Sequence, residues 1–295
     1  MLCKELLKGA VEMHAHSSPD NFPRIYDHVE LAKAARDYGF KGIVLKSQTM
    51  GSADRVQFVR QLVPGIDIFG ALVLNYAVGG LNPFAVEAQI RFGARVVWMP
   101  TGDAANHIAY FSKTAGFDPM KKDVSMPAFR RTATGITVFD DKHKLQPAVF
   151  DILDLIAQAN ICLSLGHLSV DEMQALLPEA VRRGVKKVVV DHPNLVFTRI
   201  PVDTQKEMVR QGAKMVYIFG EFSPNFYSIT PKEFAANIKL LGPENVVLAS
   251  DTGYLAGPTP AEAVRIVVQL LLENGFKEQE LEIMLKTNPT QLVYP

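Results

Sequence analysis

Two histidines stand two residues apart in the segment VEMHAH, at positions 14 and 16. On a β-strand, residues i and i+2 point to the same side, so both imidazoles can reach one point in space. Neutral imidazoles are common protein ligands of Zn²⁺ and similar divalent ions. A lone pair of this kind is more often structural, so a metal site has to be argued from further residues.

Three other polar residues follow apolar runs: His167 in SLGHLS, His192 in VVVDHPN and Asp251 in VLASDTG. Each one alone is more often a strand-end residue with a structural hydrogen bond. Their joint placement favours a shared site, because the carboxyl ends of parallel barrel strands gather at one face. The sequence therefore predicts a metal site whose ligands are His14, His16, His167, His192 and Asp251.

Eight short runs of apolar and β-branched residues recur along the chain, separated by helical patterns. Several are continuously apolar, which is typical of strands buried on both faces of a parallel sheet. The alternation predicts an α/β fold, a (β/α)₈ TIM barrel that forms a single domain over residues 1–295. An open doubly wound sheet is the competing fold, but no glycine-rich phosphate loop follows the first run. The predicted strands are Val11–His16, Gly42–Lys46, Ile66–Leu72, Arg95–Met99, Ile161–Gly166, Lys187–Asp191, Lys214–Phe219 and Asn245–Ser250.

The helical patterns carry apolar residues at three- and four-residue spacings. Thr230 and Thr259 each precede a proline and have a glutamate three residues further on, and Ser169 has the same glutamate spacing. These are capping-box signatures of helix starts. The predicted helices are His28–Tyr38, Ala53–Leu62, Pro83–Phe92, Pro147–Ala159, Val170–Arg183, Asp203–Gln211, Pro231–Leu241 and Pro260–Asn274.

The spacing between the fourth and fifth predicted strands is roughly double the others, and the extra residues span 101–146. A long insertion after a barrel strand lies on the active-site face and often acts as a lid. Within it, the segment GITVFDDKHKL predicts a hairpin that turns at residues 140–142. A solvated loop or an oligomer contact explains the insertion equally well.

The chain carries an HxH pair on predicted strand one and a single histidine or aspartate at the end of strands five, six and eight. This order of residues resembles the amidohydrolase superfamily of metal-dependent hydrolases. The closing TNPTQLV is similar to the segment that ends many members, and VEMHAHSSPD with VLKSQT resembles a poorly characterised amidohydrolase-like subgroup. The resemblance implies a divalent metal cofactor, Zn²⁺ first and Mn²⁺, Ni²⁺ or Fe²⁺ as alternatives, in one or two ions. Binuclear members usually carry a bridging lysine or glutamate on strand four, whereas RVVWMPTGD offers neither here.

The resemblance also implies a reaction in which metal-activated water attacks a C–N or C–O bond in an amide, ester or lactone of a small molecule. In this hypothesis Asp251 is a catalytic residue that takes the proton of the water and delivers it to the leaving group. His192, the other catalytic candidate, either binds a second ion or polarises the substrate carbonyl as a hydrogen-bond donor.

Polar residues near strand ends are candidates for substrate binding. Lys46 ends strand two, and its amine would be a carboxylated ligand, a substrate-binding ammonium, a charge partner of Asp251 or a group that reaches the rim. Asp20 and Arg24, in the loop after strand one, would hold a polar substrate or pair with each other. The substrate-binding candidates are Lys46, Gln48, His107, Arg130, Arg131 and Glu221.

Other functions are compatible with the same residues. Some relatives of the amidohydrolases are non-hydrolytic decarboxylases with shared metal ligands, so a metal-dependent decarboxylase stays open. A phosphoesterase on the same barrel would favour two or three ions. A non-catalytic ligand-binding barrel would fit the missing strand-four residue, although a pure binder would not need five intact polar strand ends.

The composition argues against several classes of function. The 295 residues carry 31 Lys and Arg against 31 Asp and Glu, and a net charge of zero argues against a nucleic-acid-binding protein. No apolar run reaches about 18 residues and the N-terminus lacks a signal-peptide pattern, so no membrane span is expected. Two cysteines cannot form a disulfide framework and suit a reducing cytoplasm. We therefore expect a cytoplasmic protein that acts on a small molecule, with a homo-oligomer left open.

Overall fold

The computed structural model describes residues 2–113 and 134–295. In that part of the chain, eight parallel strands form one sheet in chain order, and each strand pairs with the next. Almost every strand residue is buried, as the apolar runs predict. The strands are β1 Val11–His16, β2 Gly42–Lys46, β3 Asp67–Val73, β4 Ala94–Trp98, β5 Cys162–Ser164, β6 Val188–Asp191, β7 Ala213–Ile218 and β8 Val246–Ala249.

The ends of β1 and β8 are joined by backbone hydrogen bonds. The amide of Asp251 donates to the carbonyl of His14 over 2.8 Å, and the amide of His16 donates to the carbonyl of Thr252 over 2.9 Å. Gly253 has φ +122°, and a Cβ there would lie 2.1 Å from the carbonyl oxygen of His16, so only glycine allows this close approach. The predicted (β/α)₈ TIM barrel is confirmed, with Asp251 held beside β1.

Helices alternate with the strands and cover the outside of the sheet. The predicted helices are present with small shifts at their ends, and short helices at the two ends of the chain were not predicted. The helices are α1 Leu2–Leu6, α2 His28–Asp37, α3 Ala53–Leu62, α4 Pro83–Arg91, α5 Ala105–Phe111, α6 Pro147–Ala159, α7 Val170–Arg182, α8 Val202–Arg210, α9 Pro231–Leu241, α10 Pro260–Glu273, α11 Glu278–Glu282 and α12 Asn288–Val293.

Two of the three predicted capping boxes form. Ser169 caps α7 and Thr230 caps α9, each with the reciprocal glutamate hydrogen bond. The third prediction is wrong, because Thr259 makes no side-chain hydrogen bond although α10 begins at the next residue. The carboxylate of Glu262 pairs instead with the guanidinium of Arg265, 2.9 Å away on the outer turn of the helix.

Strand β5 is shorter than the predicted Ile161–Gly166 because the chain leaves the sheet at Gly166. This glycine has φ +59°, and a Cβ on it would lie 2.4 Å from the carbonyl oxygen of Met99. The next residue, His167, then donates its amide to the carbonyl of Pro100 over 2.9 Å. The early exit turns His167 over the carboxyl end of the barrel.

The insertion over 101–146 is described at both of its ends. Its first part forms α5, and the predicted hairpin forms a tight turn with one antiparallel bridge between Phe139 and Leu145. Glu172 of α7 accepts hydrogen bonds from Thr137 Oγ1 at 2.6 Å and from the amide of Val138 at 3.0 Å, which ties this part to the barrel. Arg130 and Arg131 lie outside the described residues, and the lid function stays a prediction.

Within the described ranges, none of the helices combines the length and the apolar character needed to cross a bilayer.

Candidate functional site

His14, His16 and Asp251 meet at the carboxyl end of the barrel. The Nε2 atoms of both histidines lie 3.0 Å from Oδ1 of Asp251, and the ligand atoms of the three residues are all within 4.8 Å of one another. Asp251 has φ +46°, a conformation that non-glycine residues rarely adopt and that is often found at functional sites. Two imidazoles and a carboxylate in one buried group form a donor set that divalent metals take.

An irregularity in β1 lets two successive residues, Met13 and His14, face the barrel interior. The pairing of β1 with β2 shifts register between Glu12 and Ala15, as at a β-bulge. Met13 packs in the core that fills the barrel, and the ring of His14, the next residue, lies 5.3 Å from the ring of Trp98 in that same core. The bulge therefore turns His14 toward the barrel axis, which strict alternation from Met13 would not do.

Asp191, at the end of β6, holds His14 from the other side. Its Oδ1 lies 3.1 Å from Nδ1 of His14, and it also accepts a hydrogen bond from Ser164 Oγ. A carboxylate on Nδ1 fixes the orientation of the ring and leaves Nε2 for a metal. Asp191 is not among the ligands predicted from the sequence, although its position directly before His192 at the end of an apolar run is a usable signal.

The carboxylates determine the charge of His14. Burial alone would lower the pKa of His14, but the carboxylates of Asp251 and Asp191 raise it to about 9. Burial would likewise raise the pKa of Asp251, but His14, His16 and Lys46 hold it well below its usual range. Asp251 is therefore ionised and presents a fixed negative charge to any cation at this position.

Lys46 lies beneath this group. Its side chain is buried, Nζ is 2.6 Å from Nε2 of His14, and Nζ also lies 4.8 Å from the centre of the Trp98 ring. Burial lowers the pKa of Lys46 while Asp251 and Asp191 oppose that change. These contacts are with His14 and Trp98, so each of the roles considered from the sequence for Lys46 stays a prediction. Trp98 occupies the end of β4, where a bridging lysine or glutamate was missing from the sequence.

His192 has the most unusual surroundings. It is completely buried, it has φ +34°, and neither ring nitrogen forms a hydrogen bond with any described residue. Its Nε2 lies 3.9 Å from Oδ2 of Asp251. Burial lowers the pKa of His192 to about 4, so the ring is neutral at pH 7. Because a buried polar group without partners is costly, these nitrogens fit a bound ion or a substrate atom.

His167 and His107 form a second pair of imidazoles next to His192. Their Nδ1 atoms are 3.0 Å apart and their rings stack with centres 4.9 Å apart. Burial lowers the pKa of His167 well below its usual value. The structure does not bring His167 or His192 into the close group around Asp251, so their role as ligands stays a prediction.

A pocket opens above these residues. It contains about 440 Å³ of space, part of which is open to solvent. His107 and Phe111 of α5 form part of its wall, so the insertion contributes to the site. Its lining residues are His16, Arg24, His107, Phe111, His167, Leu195, Phe197, Phe226, Asp251 and Tyr254.

Two substrate-binding candidates are buried away from this lining. Gln48 Oε1 accepts hydrogen bonds from Asn75 and Thr101, which sequence analysis had not considered, while its Nε2 has no partner among the described residues. Glu221 accepts from the amide of Asn194 at 2.7 Å, and burial raises its pKa to about 8. These contacts brace the loops after the strands, and direct substrate binding by Gln48 or Glu221 stays a prediction.

The barrel is similar to solved amidohydrolase structures over its whole length. An amidohydrolase from Pseudomonas aeruginosa has a TM-score of 0.64 at 10% identity, covering 99% of this chain and 98% of that one. The probable dipeptidase PvdM from Pseudomonas aeruginosa has a TM-score of 0.62 at 11% identity, with 99% and 96% covered. The phosphotriesterase homology protein from Escherichia coli, solved with phosphate in its active site, has a TM-score of 0.56 at 14% identity, with 97% and 99% covered. The predicted resemblance to amidohydrolases is thus confirmed at the level of the fold.

A family model identifies a more specific group of proteins than the shared barrel fold does. Residues 9–216 match the model of DUF6282, a family of unknown function, and the chain belongs to that family. No curated protein matches the chain.

Proposed function

We propose that this protein is a metal-dependent hydrolase that cleaves a C–N or C–O bond in an amide, ester or lactone of a small molecule. One observation carries the proposal. The side chains of His14, His16 and Asp251 converge at the carboxyl end of the barrel, beside a buried His192 without hydrogen bonds to described residues. The carboxyl end of the strands is where barrel enzymes place their chemistry.

The residues fit a divalent ion. Nε2 of His14, Nε2 of His16 and Oδ1 of Asp251 would hold it, and His192 or His167 would add an imidazole nitrogen. When bound, such an ion supplies Lewis-acid chemistry and lowers the pKa of water to about 7. Asp191 would keep His14 in the orientation that presents Nε2 to the ion.

The remaining chemistry belongs to Asp251 and His192. The Oδ2 atom of Asp251 points toward His192 rather than toward His14 and His16, so it is placed to accept a proton and return it to the leaving group. The neutral ring of His192 would donate a hydrogen bond to the carbonyl oxygen of the substrate and stabilise negative charge there. Phe111, Phe197 and Leu195 would exclude water from the substrate.

The test combines metal content with turnover. Wild-type protein and the His14→Ala/His16→Ala double variant are expressed with zinc or manganese, and bound metal is measured by elemental analysis. We expect metal in the wild type, loss of metal from the double variant, and metal-dependent hydrolysis within a panel of esters, lactones and amides. His143→Ala, at an exposed turn, is the matched control and should keep its metal. A wild-type protein that stays metal-free would refute the proposal.

Three other outcomes would indicate a different function for the same site. Release of CO₂ without incorporation of ¹⁸O from water into product would indicate a decarboxylase. Clearly more than one metal per chain, together with phosphoester turnover, would indicate a phosphoesterase. Metal-loaded protein that turns over nothing in the panel would indicate a ligand-binding barrel.

A further inference from the structure

We propose that the site selects substrates carrying a carboxylate close to an apolar group, and that Arg24 binds this carboxylate. The inference rests on the proposed function and names the class of its substrate. The sequence allows Arg24 either to hold a substrate or to pair with Asp20, and the structure shows an arrangement in which one guanidinium can do both.

One edge of the Arg24 guanidinium is occupied and the other is open. The side chain is only 3% exposed, and its Nε and Nη2 donate to Oδ2 of Asp20 at 3.2 and 2.8 Å. Nη1 forms no hydrogen bond with any residue that the structure describes, and Arg24 lines the pocket together with His16 and Asp251. A guanidinium with a free edge in a desolvated pocket is suited to a carboxylate, because it offers parallel donors and carries a permanent charge.

Asp20 holds the arginine in place. The carboxylate is fully buried, and its Oδ1 accepts from Thr49 Oγ1 and from the amide of Asn21, both at 2.8 Å. Oδ2 accepts from the amide of Gln48 at 3.2 Å in addition to Arg24. With these bonds the direction of the guanidinium is fixed before a ligand arrives, which lowers the entropy cost of binding.

The loop that carries Arg24 is also attached to the metal-binding group. Arg24 forms an antiparallel bridge with Tyr254, and the amide of Ile25 donates to the carbonyl of Gly253 over 2.8 Å. Both of these partners follow Asp251 within three residues along the chain. The open edge of Arg24 and the candidate metal ligands therefore keep a fixed separation along one wall, which suits a substrate whose carboxylate lies a few atoms from the bond to be cleaved.

The opposite wall is apolar and aromatic. Phe111 and Phe197 have ring centres 5.9 Å apart, and Phe226 and Leu195 continue the same surface. A charged group would lose its hydration against this wall without gaining a partner, whereas an aryl or branched alkyl group would bury its surface there. The substrate class is thus an amide, ester or lactone that carries both a carboxylate and an apolar group, as in an N-acyl amino acid with an aromatic side chain.

The test compares a carboxylate with its neutral isostere. Binding of 3-phenylpropionate and of 3-phenylpropanamide to the zinc-loaded protein is measured by calorimetry. In the wild type we expect the carboxylate to bind about tenfold more tightly or better, as charge-assisted hydrogen bonds usually allow. In Asp20→Asn/Arg24→Gln the carboxylate affinity should fall until the two affinities are equal.

A second variant keeps the experiment decisive if the double variant does not fold. Arg24→Lys retains the charge beside Asp20 but lacks the second edge of the guanidinium, so the preference should fall several-fold. If the variant that folds keeps the wild-type preference, the carboxylate is binding elsewhere, for example to the zinc, and the inference is wrong.

The same samples separate this inference from the proposed function. Zinc content and hydrolysis of N-benzoylphenylalanine and its carboxamide are measured in parallel. An Arg24-dependent preference in binding without any hydrolysis would support the anion site and count against the hydrolase. Equal hydrolysis of the acid and its carboxamide would support the hydrolase and overturn the role of Arg24.

Discussion

Two sides of the carboxyl end of the barrel use the same residue type, histidine, in different ways. On one side, imidazoles lie among carboxylates and a lysine; on the other, they lie among phenylalanine rings. We call the first the charged side, formed by His14, His16, Lys46, Asp191 and Asp251. We call the second the apolar side, formed by His107, Phe111, His167, His192 and Phe197.

All of these histidines are buried, so burial alone does not set their charge. The carboxylates of Asp251 and Asp191 overcome burial and raise the pKa of His14 to about 9, whereas burial lowers the pKa of His192 to about 4. His16 differs from His14, because burial and then the nearby Arg24 lower its pKa to about 3 although its Nε2 lies 3.0 Å from Asp251. The carboxylates around His14, rather than a difference in burial, therefore separate the pKa of His14 from that of His192.

The largest effect is expected on the charged side, from Asp251→Asn. The change keeps the size of the side chain but removes the charge that both Nε2 atoms contact. Bound zinc should be lost, and kcat/KM for the best substrate of the panel should fall by about 10³-fold or more. Elemental analysis and initial rates measure the two effects.

The control for this variant is Asp141→Asn, at an exposed position of the hairpin turn. It should keep both zinc and activity. If Asp251→Asn also keeps zinc and activity, the charged side is not a metal site, and the two sides do not differ in metal binding.

A smaller loss is expected from Asp191→Asn, which acts through His14. The amide still accepts a hydrogen bond from Nδ1 but no longer carries a charge, so the imidazole becomes a weaker ligand. Zinc affinity should fall by about 10- to 100-fold, as removal of such outer partners usually causes. Competition with a chelator of known affinity gives the dissociation constant. Asp203→Asn, on the outer surface of α8, is the matched control, and an unchanged zinc affinity in Asp191→Asn would show that Asp191 does not position His14.

On the apolar side, His107→Asn should change turnover without changing metal content. The substitution removes the ring that stacks on His167 and its nitrogen 3.0 Å from Nδ1 of that residue. We expect kcat/KM to fall by about tenfold, less than the roughly 10²-fold or more that a general acid or base contributes, because His107 orients its neighbour, with zinc retained. His143→Asn, 69% exposed, controls for the general effect of the replacement. Loss of zinc from His107→Asn would mean that residues of both sides contribute to one metal site.

The sequence predicts the charged side better than the apolar side. HxH and Asp251 end runs whose periodicity identifies them as neighbouring parallel strands, so topology alone brings them together. The partners of these residues depend on local geometry that periodicity does not contain: the bulge that turns His14, and the side-chain direction of Asp191. Arg24 shows the same limit, because its spacing from Asp20 predicts a pair but not that Nη1 remains available.

The apolar side depends on segments whose form is set by contacts between distant residues. His107 was one of several polar residues in a long insertion, and its place became clear only with α5 docked against the loops after β5 and β6. Phe197 was one of seventeen phenylalanines expected mainly in the core. Their contribution could not be read from the sequence because aromatic residues pack in cores and in pockets with the same local pattern.

Glu221 offers the smallest effect, and it tests how the apolar side is supported. The side chain is fully buried and accepts hydrogen bonds from the amide and the side chain of Asn194, one residue before Leu195 of the pocket wall. Burial raises its pKa from 4.5 to about 8, so between these values the folded protein holds a proton that the unfolded chain has released. The stability that this proton contributes is fully present below pH 4.5 and is lost as the pH rises toward 8.

Glu221→Gln, which cannot ionise, should therefore become more stable relative to the wild type as the pH rises from 5 to 8. The difference in the free energy of unfolding should grow by at most about 1.4 kcal/mol per pH unit, because one proton is involved. Urea denaturation of both proteins at several pH values measures it, and Glu278→Gln, on the exposed first turn of α11, should show no such trend. A constant difference between wild type and Glu221→Gln would mean that Glu221 is ionised in the folded protein, and that charge holds the loop behind the apolar side as it holds the group around Asp251.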